Sequence, residues 1–301
     1  MERLKLYIIG GSGFIGKNMV RCLSGRYEIS VFDQFIDEPY FRSYPDVKCY
    51  QIELDKNSLP STLATPDYLI NLASIVTAER NLDLFDAMIQ SNLKVLLNLF
   101  RRFRGDDILK LFIQFGSSEE YGEIGSPYEE MMREEPNSPY ALVKQLTTNT
   151  AMMLYRNYGF PVAVVRPGNL FGPMQNRSKF IPYVVDCLRA HEPLDVTPCE
   201  QKRDFIYVDD FIAGIEQILF HSQRAKGEII NLGSGESISL KEIIEICRVE
   251  LGSNSVVHYG AIPYRENEVM DLCCGMKKYS SITGTTIVSD VRSGIKKMMS
   301  I

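Results

Sequence analysis

Tyr140 and Lys144 stand four residues apart in the chain. Residues at positions i and i+4 lie on one face of an α-helix, so a helix here brings the phenol and the ammonium group together. A nearby cation stabilises phenolate over phenol, which predicts a lowered pKa for Tyr140 and suits it to proton transfer. Ser117 stands just after an earlier predicted strand and supplies a hydroxyl to hydrogen-bond the same substrate oxygen. Together the three side chains indicate acid or base chemistry at a substrate oxygen.

A glycine-rich turn occupies residues 10–16 near the start of the chain. It follows a predicted strand at 6–9 and opens a predicted helix at 14–23. Gly10 permits a tight turn, Gly13 lets the backbone approach a pyrophosphate, and Gly16 allows close packing of helix on strand. The N-terminus of the helix offers N–H donors to the anion. This placement predicts a dinucleotide site that includes Gly10, Ser12, Gly13, Phe14, Ile15 and Gly16.

Asp33 follows the second predicted strand, residues 28–32. A carboxylate at this point accepts hydrogen bonds from both ribose hydroxyls and repels a 2′-phosphate. The position therefore favours NAD, with NADP as the alternative. A second interpretation is that Asp33 only caps the loop after the strand.

The elements that must hold these residues alternate between short strand-like runs and longer helical patterns, which predicts α/β structure with a parallel sheet. Predicted strands lie at 6–9, 28–32, 49–54, 68–73, 111–115 and 162–166, and long helices at 82–103 and 140–158. Beyond residue 168 the alternation weakens, although a helix at 204–220 and a strand at 227–232 suggest a return to the sheet. We expect a doubly wound parallel Rossmann sheet, formed by residues 1–167 plus about 205–235. A smaller C-terminal substrate-binding lobe then comprises about 168–204 plus 236–301.

Composition excludes several classes of function. The 301 residues carry a formal charge of -5, which argues against nucleic acid as a partner. The chain shows neither an apolar run of about 18 residues nor a signal peptide, so no membrane association and a cytoplasmic location are expected. Seven cysteines without a Cys-x-x-Cys pair and three scattered histidines predict reduced thiols and no metal site. The acidic run at 129–135 is interpreted as a solvated loop.

Six motifs in one order resemble the extended short-chain dehydrogenase/reductase family, which contains nucleotide-sugar epimerases, dehydratases and ketoreductases. They are residues 10–16, Asp33, Ser117 with Tyr121 and Gly122, residues 140–144, residues 166–173 and residues 203–210. The resemblance covers nearly the whole chain. It implies hydride transfer between a nicotinamide and C4 of a nucleotide-diphosphate sugar, and a homodimer formed by the two long helices.

Residue roles follow from this resemblance position by position. It implies that Ser117, Tyr140 and Lys144 are catalytic, with Lys144 also holding the nicotinamide ribose. Further cofactor contacts are implied at Glu53, Leu54, Leu72, Ala73 and Asn92, of which Asn92 supports the active site. Contacts to the sugar nucleotide are implied at Ser118, Asn169, Lys179, Phe180, Arg203 and Arg265. Asn71 departs from the family, which usually has a histidine there.

Residues 116–122 bear on the reaction, because they resemble both GDP-4-keto-6-deoxymannose reductases and sugar-nucleotide 4,6-dehydratases. Glu119 is either the base that removes the C5 proton in a dehydratase or a carboxylate bonded to loop backbone. Residues 179–188 and 260–268 resemble CDP-abequose and CDP-paratose synthases, which reduce a 4-keto sugar. The prediction is therefore a 4-ketoreductase of an NDP-4-keto-6-deoxyhexose. An NAD-retaining 4-epimerase and a 4,6-dehydratase are alternatives, and a non-catalytic dinucleotide-sensing regulator is a remote one, against which the intact catalytic residues argue.

Overall fold

The computed structural model describes residues 3–76 and 82–300. In chain order its strands are β1 (Lys5–Ile9), β2 (Glu28–Asp33), β3 (Lys48–Gln51), β4 (Tyr68–Asn71), β5 (Leu111–Phe115), β6 (Val162–Pro167), β7 (Asn169–Phe171), β8 (Leu194–Val196), β9 (Lys202–Arg203), β10 (Phe205–Tyr207), β11 (Ile229–Leu232), β12 (Ile238–Ser239), β13 (Val257–Tyr259) and β14 (Asp271–Leu272). Its α-helices are α1 (Phe14–Leu23), α2 (Glu38–Phe41), α3 (Phe85–Ile89), α4 (Val95–Phe103), α5 (Pro139–Tyr158), α6 (Phe180–Arg189), α7 (Val208–Phe220), α8 (Ser222–Ala225), α9 (Leu240–Leu251), α10 (Lys277–Thr283) and α11 (Val291–Met299).

Seven strands form the central sheet in the order β3-β2-β1-β4-β5-β6-β11, and every pairing in it is parallel. Alternate residues of each strand face opposite sides of the sheet. On one side Leu6 and Ile8 of β1 pack in a core with residues of α1 and α7. On the other side Tyr7 and Ile9 pack with residues of α4 and α5. The predicted doubly wound α/β sheet with helices on both faces is confirmed.

The long helix predicted at 82–103 is broken into pieces of different pitch. A 3₁₀ turn at Leu82–Leu84 leads into α3, a π-helical stretch follows at Gln90–Lys94, and α4 completes the run. The pitch changes where this helical segment meets the cleft described below. Single π-helical turns are frequent at functional sites.

Other boundaries differ because tertiary contacts override the local pattern. The helix predicted at 204–220 begins instead as β10, which is fully buried and pairs in parallel with β7 before α7 starts. The strands predicted at 49–54 and 68–73 end at Gln51 and Asn71, because the chain then turns along the wall of the cleft.

A second core lies outside the sheet. It joins α6, α9 and α11 with the short strands β8, β10 and β13 around side chains such as Leu188, Ile243 and Ile295. The chain returns to the sheet as β11, beside β6, as the sequence suggests. The residue limits of the two lobes stay a prediction.

Across the described ranges, no helix is both long and apolar enough to span a bilayer.

Candidate active site

A cleft of about 1150 Å³ opens at the edge of the sheet that is formed by the carboxyl ends of its strands. Ligands of open α/β sheets bind at this edge, because the loops after neighbouring parallel strands converge there. Of the residues predicted for the site, the cleft wall contains Gly10, Ser12, Gly13, Phe14, Ile15, Gly16, Asp33, Glu53, Leu54, Leu72, Ala73, Ser117, Ser118, Glu119, Tyr140, Lys144, Asn169, Lys179, Phe180, Arg203 and Arg265. One cleft thus brings together all of the predicted site residues except Asn92.

The glycine turn between β1 and α1 exposes bare backbone to the cleft. Gly10 has φ +74°, and a Cβ there would lie 2.9 Å from the backbone nitrogen of Ala73. A Cβ on Gly16 would lie 2.4 Å from Gly11 Cα, so the close packing predicted for Gly16 is against the turn itself rather than against the strand. Within the described chain, no side chain caps the N–H groups at the start of α1. Uncapped N–H groups beside this glycine-rich turn fit a pyrophosphate.

Asp33 ends β2, where it caps the following loop and also lines the cleft. Its carboxylate accepts hydrogen bonds from the backbone N–H of Ser12 (3.0 Å) and of Phe35 (3.3 Å), and it also lines the cleft. Among the described residues, the cations of the cleft wall are Lys144, Lys179, Arg203 and Arg265. None of them belongs to the turn after β2, so this end of the cleft suits an unphosphorylated ribose.

Lys144 is buried beneath Tyr140 on α5. Its Nζ donates a hydrogen bond to the carbonyl oxygen of Phe115 (3.1 Å) and lies 5.8 Å from the centre of the Tyr140 ring. Burial lowers the pKa of Lys144 to about 8, although the negative charge of Glu120 acts to raise it. Ser138 positions the start of this helix, because its hydroxyl accepts the backbone N–H of Ala141.

The predicted lowering of the Tyr140 pKa is wrong for the protein alone. Burial raises the pKa of Tyr140, and the charge of Glu119 raises it further, whereas a hydrogen bond with Ser117 acts in the opposite direction. The side chain is only 7% exposed, so removal of the phenolate from water is the main cause of the raised pKa. Tyr140 therefore keeps its proton at neutral pH.

Ser117 begins a tight turn after β5 that fixes its orientation. Its hydroxyl accepts the N–H of Glu119 (3.2 Å), and its own N–H donates to the carboxylate of Glu120 (2.8 Å). The two consecutive glutamates therefore have different environments. Glu119 is exposed at the cleft, whereas Glu120 is completely buried behind it.

The half of the cleft that adjoins the smaller lobe carries three of the cations. Arg203 donates hydrogen bonds to the carbonyl oxygens of Lys202 and Val269 (both 2.7 Å) and forms an ion pair with Glu268. Arg265 and Lys179 are exposed in the same wall. This charge suits an anionic group such as a diphosphate.

Asn92 is not part of the cleft wall, and its role as a cofactor contact stays a prediction. It is fully buried in the π-helical stretch, where its Nδ2 donates to the carbonyl oxygen of Met88 (2.8 Å). Its Oδ1 is buried and has no hydrogen-bond partner among the described residues. The neighbouring Gln90 and Ser91 line the cleft instead.

Sequence reasoning missed a buried ion-pair network behind the site. Arg166, at the end of β6, is fully buried and pairs with Glu120 and with Glu134. The acidic run is therefore not simply solvated, since Glu130 also accepts the backbone N–H of Asn231 (2.9 Å). An arginine at the end of an otherwise apolar buried strand is the sequence signal for such a network, because a charge there requires a counter-ion.

Comparisons with known proteins agree with this geometry. Residues 6–233 match the family described as Epimerase, the NAD dependent epimerase/dehydratase family. A CDP-abequose synthase of Salmonella muenchen is 34% identical over 137 residues, which are 46% of this chain and 46% of that protein, so the match spans about half of each. A putative UDP-glucose 4-epimerase of Methanocaldococcus jannaschii is 25% identical over 304 residues, covering 98% of this chain and 97% of that protein.

The fold is also found in solved structures. A UDP-glucuronic acid 4-epimerase from Bacillus cereus, in complex with UDP-glucuronic acid and NAD, has a TM-score of 0.90 to this protein at 22% identity, covering 99% of this chain and 98% of that one. The glycine turn, the Asp33 carboxylate and the buried Tyr140 and Lys144 stand in one cleft of this fold. The chain belongs to the NAD dependent epimerase/dehydratase family and is an NAD-dependent enzyme of the nucleotide-sugar epimerase, dehydratase and reductase group.

Proposed function

We propose that this protein is a 4-ketoreductase that reduces the C4 carbonyl of an NDP-4-keto-6-deoxyhexose. The observation that carries the proposal is the placement of Tyr140, a buried phenol that lines the cleft beside the Ser117 hydroxyl and above the Lys144 ammonium group. Reduction of a ketone requires a proton donor at the oxygen as hydride reaches the carbon, and a neutral phenol is such a donor. Oxidation of an alcohol requires the opposite, a phenolate. The same side chain serves both directions of the reaction, so the choice of reduction rests on the similarity to a CDP-abequose synthase.

The residues of the cleft divide the chemistry among them. Tyr140 donates its proton to the C4 oxygen, and the Ser117 hydroxyl donates a hydrogen bond to the same oxygen. The Lys144 ammonium group stabilises the phenolate that remains on Tyr140 after the transfer. When bound, the reduced nicotinamide supplies the hydride to C4, so the ketone gains one hydride and one proton and becomes an alcohol.

Asp33 and the glycine turn support NAD as the dinucleotide. The turn at 10–16 would hold the pyrophosphate, and Asp33 would accept hydrogen bonds from the ribose hydroxyls. NADP is the alternative. Its 2′-phosphate would lie beside the Asp33 carboxylate, and none of the described cations of the cleft wall belongs to the turn after β2.

The relatives supply further support. The CDP-abequose synthase matches almost half of this chain, and residues 179–188 and 260–268 also resemble synthases of that type. On the substrate side, Lys179, Arg203 and Arg265 would bind the diphosphate, while Ser118, Asn169 and Phe180 would contact the sugar and the base.

Two alternatives each rest on one observation. A 4-epimerase that retains NAD agrees with the similarity to a putative UDP-glucose 4-epimerase over almost the whole chain. A 4,6-dehydratase agrees with the position of Glu119, which lines the cleft and lies close enough to Tyr140 for its charge to raise the tyrosine pKa. In that reaction Glu119 would remove the C5 proton after oxidation of C4.

The deciding experiment begins with purification without added cofactor, followed by denaturation and mass spectrometry of any released dinucleotide. The protein is then incubated with NADH or NADPH and a set of 4-keto-6-deoxy sugar nucleotides. We expect an empty site, stoichiometric consumption of reduced nicotinamide, and a 4-hydroxy product. Tightly held NAD with interconversion of 4-hydroxy sugars would replace the proposal with the epimerase.

Two variants test the residue roles in the same assay. Tyr140→Phe should reduce turnover by about 10²- to 10⁴-fold and leave nicotinamide binding unchanged, because it removes only the hydroxyl. Glu119→Gln should retain ketone reduction. Loss of an elimination activity in Glu119→Gln would favour the dehydratase.

A further inference from the structure

Glu120 is a fully buried carboxylate that three elements of the site share. One oxygen accepts the backbone N–H of Ser117 (2.8 Å) and the hydroxyl of Thr148 on α5 (3.1 Å). The other oxygen accepts the Nε (2.9 Å) and Nη2 (2.7 Å) groups of Arg166 at the end of β6. A single side chain thus connects the turn that carries Ser117, the helix that carries Tyr140 and Lys144, and the next strand.

The surroundings leave this carboxylate little freedom. A Cβ on Gly116 would lie 2.5 Å from Glu120 Oε1, so the close approach requires glycine at that position. Arg166 is fully buried, lies 4.6 Å from the centre of the Tyr121 ring and has Glu134 as a second ionic partner (2.6 Å). Because Arg166 holds two carboxylates, the loss of one leaves it with a counter-ion.

The charge of Glu120 also acts on the proton-transfer groups. It raises the pKa of Tyr140 and that of Lys144, since a buried anion disfavours phenolate and favours ammonium. Glu119 and Ser117, from the turn, also act on the pKa of Tyr140, and the Lys144 ammonium group faces the Tyr140 ring at 5.8 Å. Burial raises the pKa of Glu120 itself, whereas the charge of Arg166 and the hydrogen bonds lower it.

We propose that Glu120 is a positioning residue of this site, whose buried carboxylate holds the Ser117 turn against α5 and β6. It touches neither substrate nor cofactor, because it lies behind the cleft wall. Its effect on turnover passes through the placement of Ser117 and through the charge that it presents to Tyr140 and Lys144. The kinetic part of the inference rests on the proposed reductase function.

The test compares Glu120→Gln with the matched variant Glu134→Gln. Both replace a carboxylate partner of the same Arg166 with its neutral isostere, but only Glu120 contacts Ser117. We expect Glu120→Gln to lower kcat by about 10- to 100-fold, because small misplacements of reacting groups are costly. The alkaline limb of its profile of kcat against pH should move to lower pH by about one unit, since loss of the anion lowers the pKa of Tyr140 and of Lys144. Glu134→Gln should keep the wild-type pH profile, and Glu120→Asp should restore the alkaline limb.

A substrate-free measurement separates this inference from the proposed function. Hydrogen exchange of the peptide 116–122 should be faster in Glu120→Gln than in the wild type, because glutamine has one acceptor oxygen for donors that face both carboxylate oxygens. When Arg166 takes that oxygen, the Ser117 N–H faces an NH2 donor. Exchange should be unchanged in Glu134→Gln. If the wild type reduces no 4-keto sugar, the proposed function fails, and this exchange result still decides the role of Glu120.

Three results would overturn the inference: an unchanged pH profile in Glu120→Gln, the same shift in Glu134→Gln, or unchanged exchange of the 116–122 peptide. If Glu120→Gln does not fold, Thr148→Val takes its place. That variant removes one hydrogen bond to the carboxylate and keeps the charge, so kcat should fall without a shift of the pH profile. An unaltered kcat there would count against positioning.

Discussion

Replacement of the buried Lys144 by methionine should stabilise the fold while it abolishes activity. The native pKa of Lys144 is about 8, compared with an ordinary value of 10.5. At 1.36 kcal/mol for each pKa unit, this difference corresponds to about 3 kcal/mol of destabilisation in the charged form. Methionine also gives up the hydrogen bond to Phe115, which is worth about 1 kcal/mol. The net gain is then about 2 kcal/mol.

The sign of the pH dependence follows from the lowered pKa. Below pH 8 the lysine is charged in both states and the cost of burying it is fully present. Between pH 8 and 10.5 the unfolded chain holds more protons than the native protein, so the stability of the wild type rises with pH through this group. The advantage of Lys144→Met should therefore be largest below pH 8 and should shrink as the pH rises towards 10.5.

Thermal unfolding followed by circular dichroism at several pH values measures this difference. An unfolding entropy of about 2.1 cal/mol/K per residue makes 2 kcal/mol equivalent to an increase in Tm of about 3 °C at pH 7 for this chain. Lys179→Met is the control, because Lys179 is exposed in the same cleft and its replacement should change stability by less than about 0.5 kcal/mol. A Lys144→Met protein that melts at or below the wild-type temperature at pH 7, or whose difference does not vary with pH, would refute this reasoning.

Three further predictions concern the cofactor and the assembly. Gly16→Ala should weaken NAD binding severely in a calorimetric titration, because its Cβ would lie 2.4 Å from Gly11 Cα and force the turn open; wild-type affinity would contradict the assigned turn geometry. Asp33→Ser should lower the preference for NAD over NADP in kcat/KM, and an unchanged ratio would mean that Asp33 only caps its loop. We also predict a homodimer through the long helices: Leu142, Leu146 and Tyr155 of α5 are between 37% and 40% exposed, so sedimentation should show a dimer that Leu146→Glu converts to monomer. A wild type that sediments only as monomer at micromolar concentration would exclude it.

Much of the fold was predictable from local pattern. Leu111–Phe115 was predicted with its observed bounds, and α5 differs from its prediction by one residue at the start. Such elements are long or uniformly apolar, so the spacing of their apolar residues in the sequence matches the side that the fold buries. The 204–220 segment was not predictable in the same way, because its first residues form a strand only by pairing with β7.

The site was predictable as a set of residues but not as an environment. The glycine turn, Asp33, Ser117, Tyr140 and Lys144 carry their signal in residue type and spacing, which the chain alone displays. Residue type and spacing do not show in which direction the pKa of Tyr140 shifts. That direction depends on how much water the folded protein removes from the phenol and on how near Glu119 lies.

The sequence by itself determined most strands of the sheet, the dinucleotide turn and the proton-transfer pair, since each is a pattern of residues within about 20 positions of one another in the chain. Only the tertiary structure decided that Asn92 lies outside the cleft, that Glu119 faces it and that Glu120 is buried behind it. It also decided that Arg166 pairs with Glu134 from the acidic run. These outcomes depend on contacts between segments far apart in the chain, where solvent exclusion and the choice of counter-ion are set by the assembled fold.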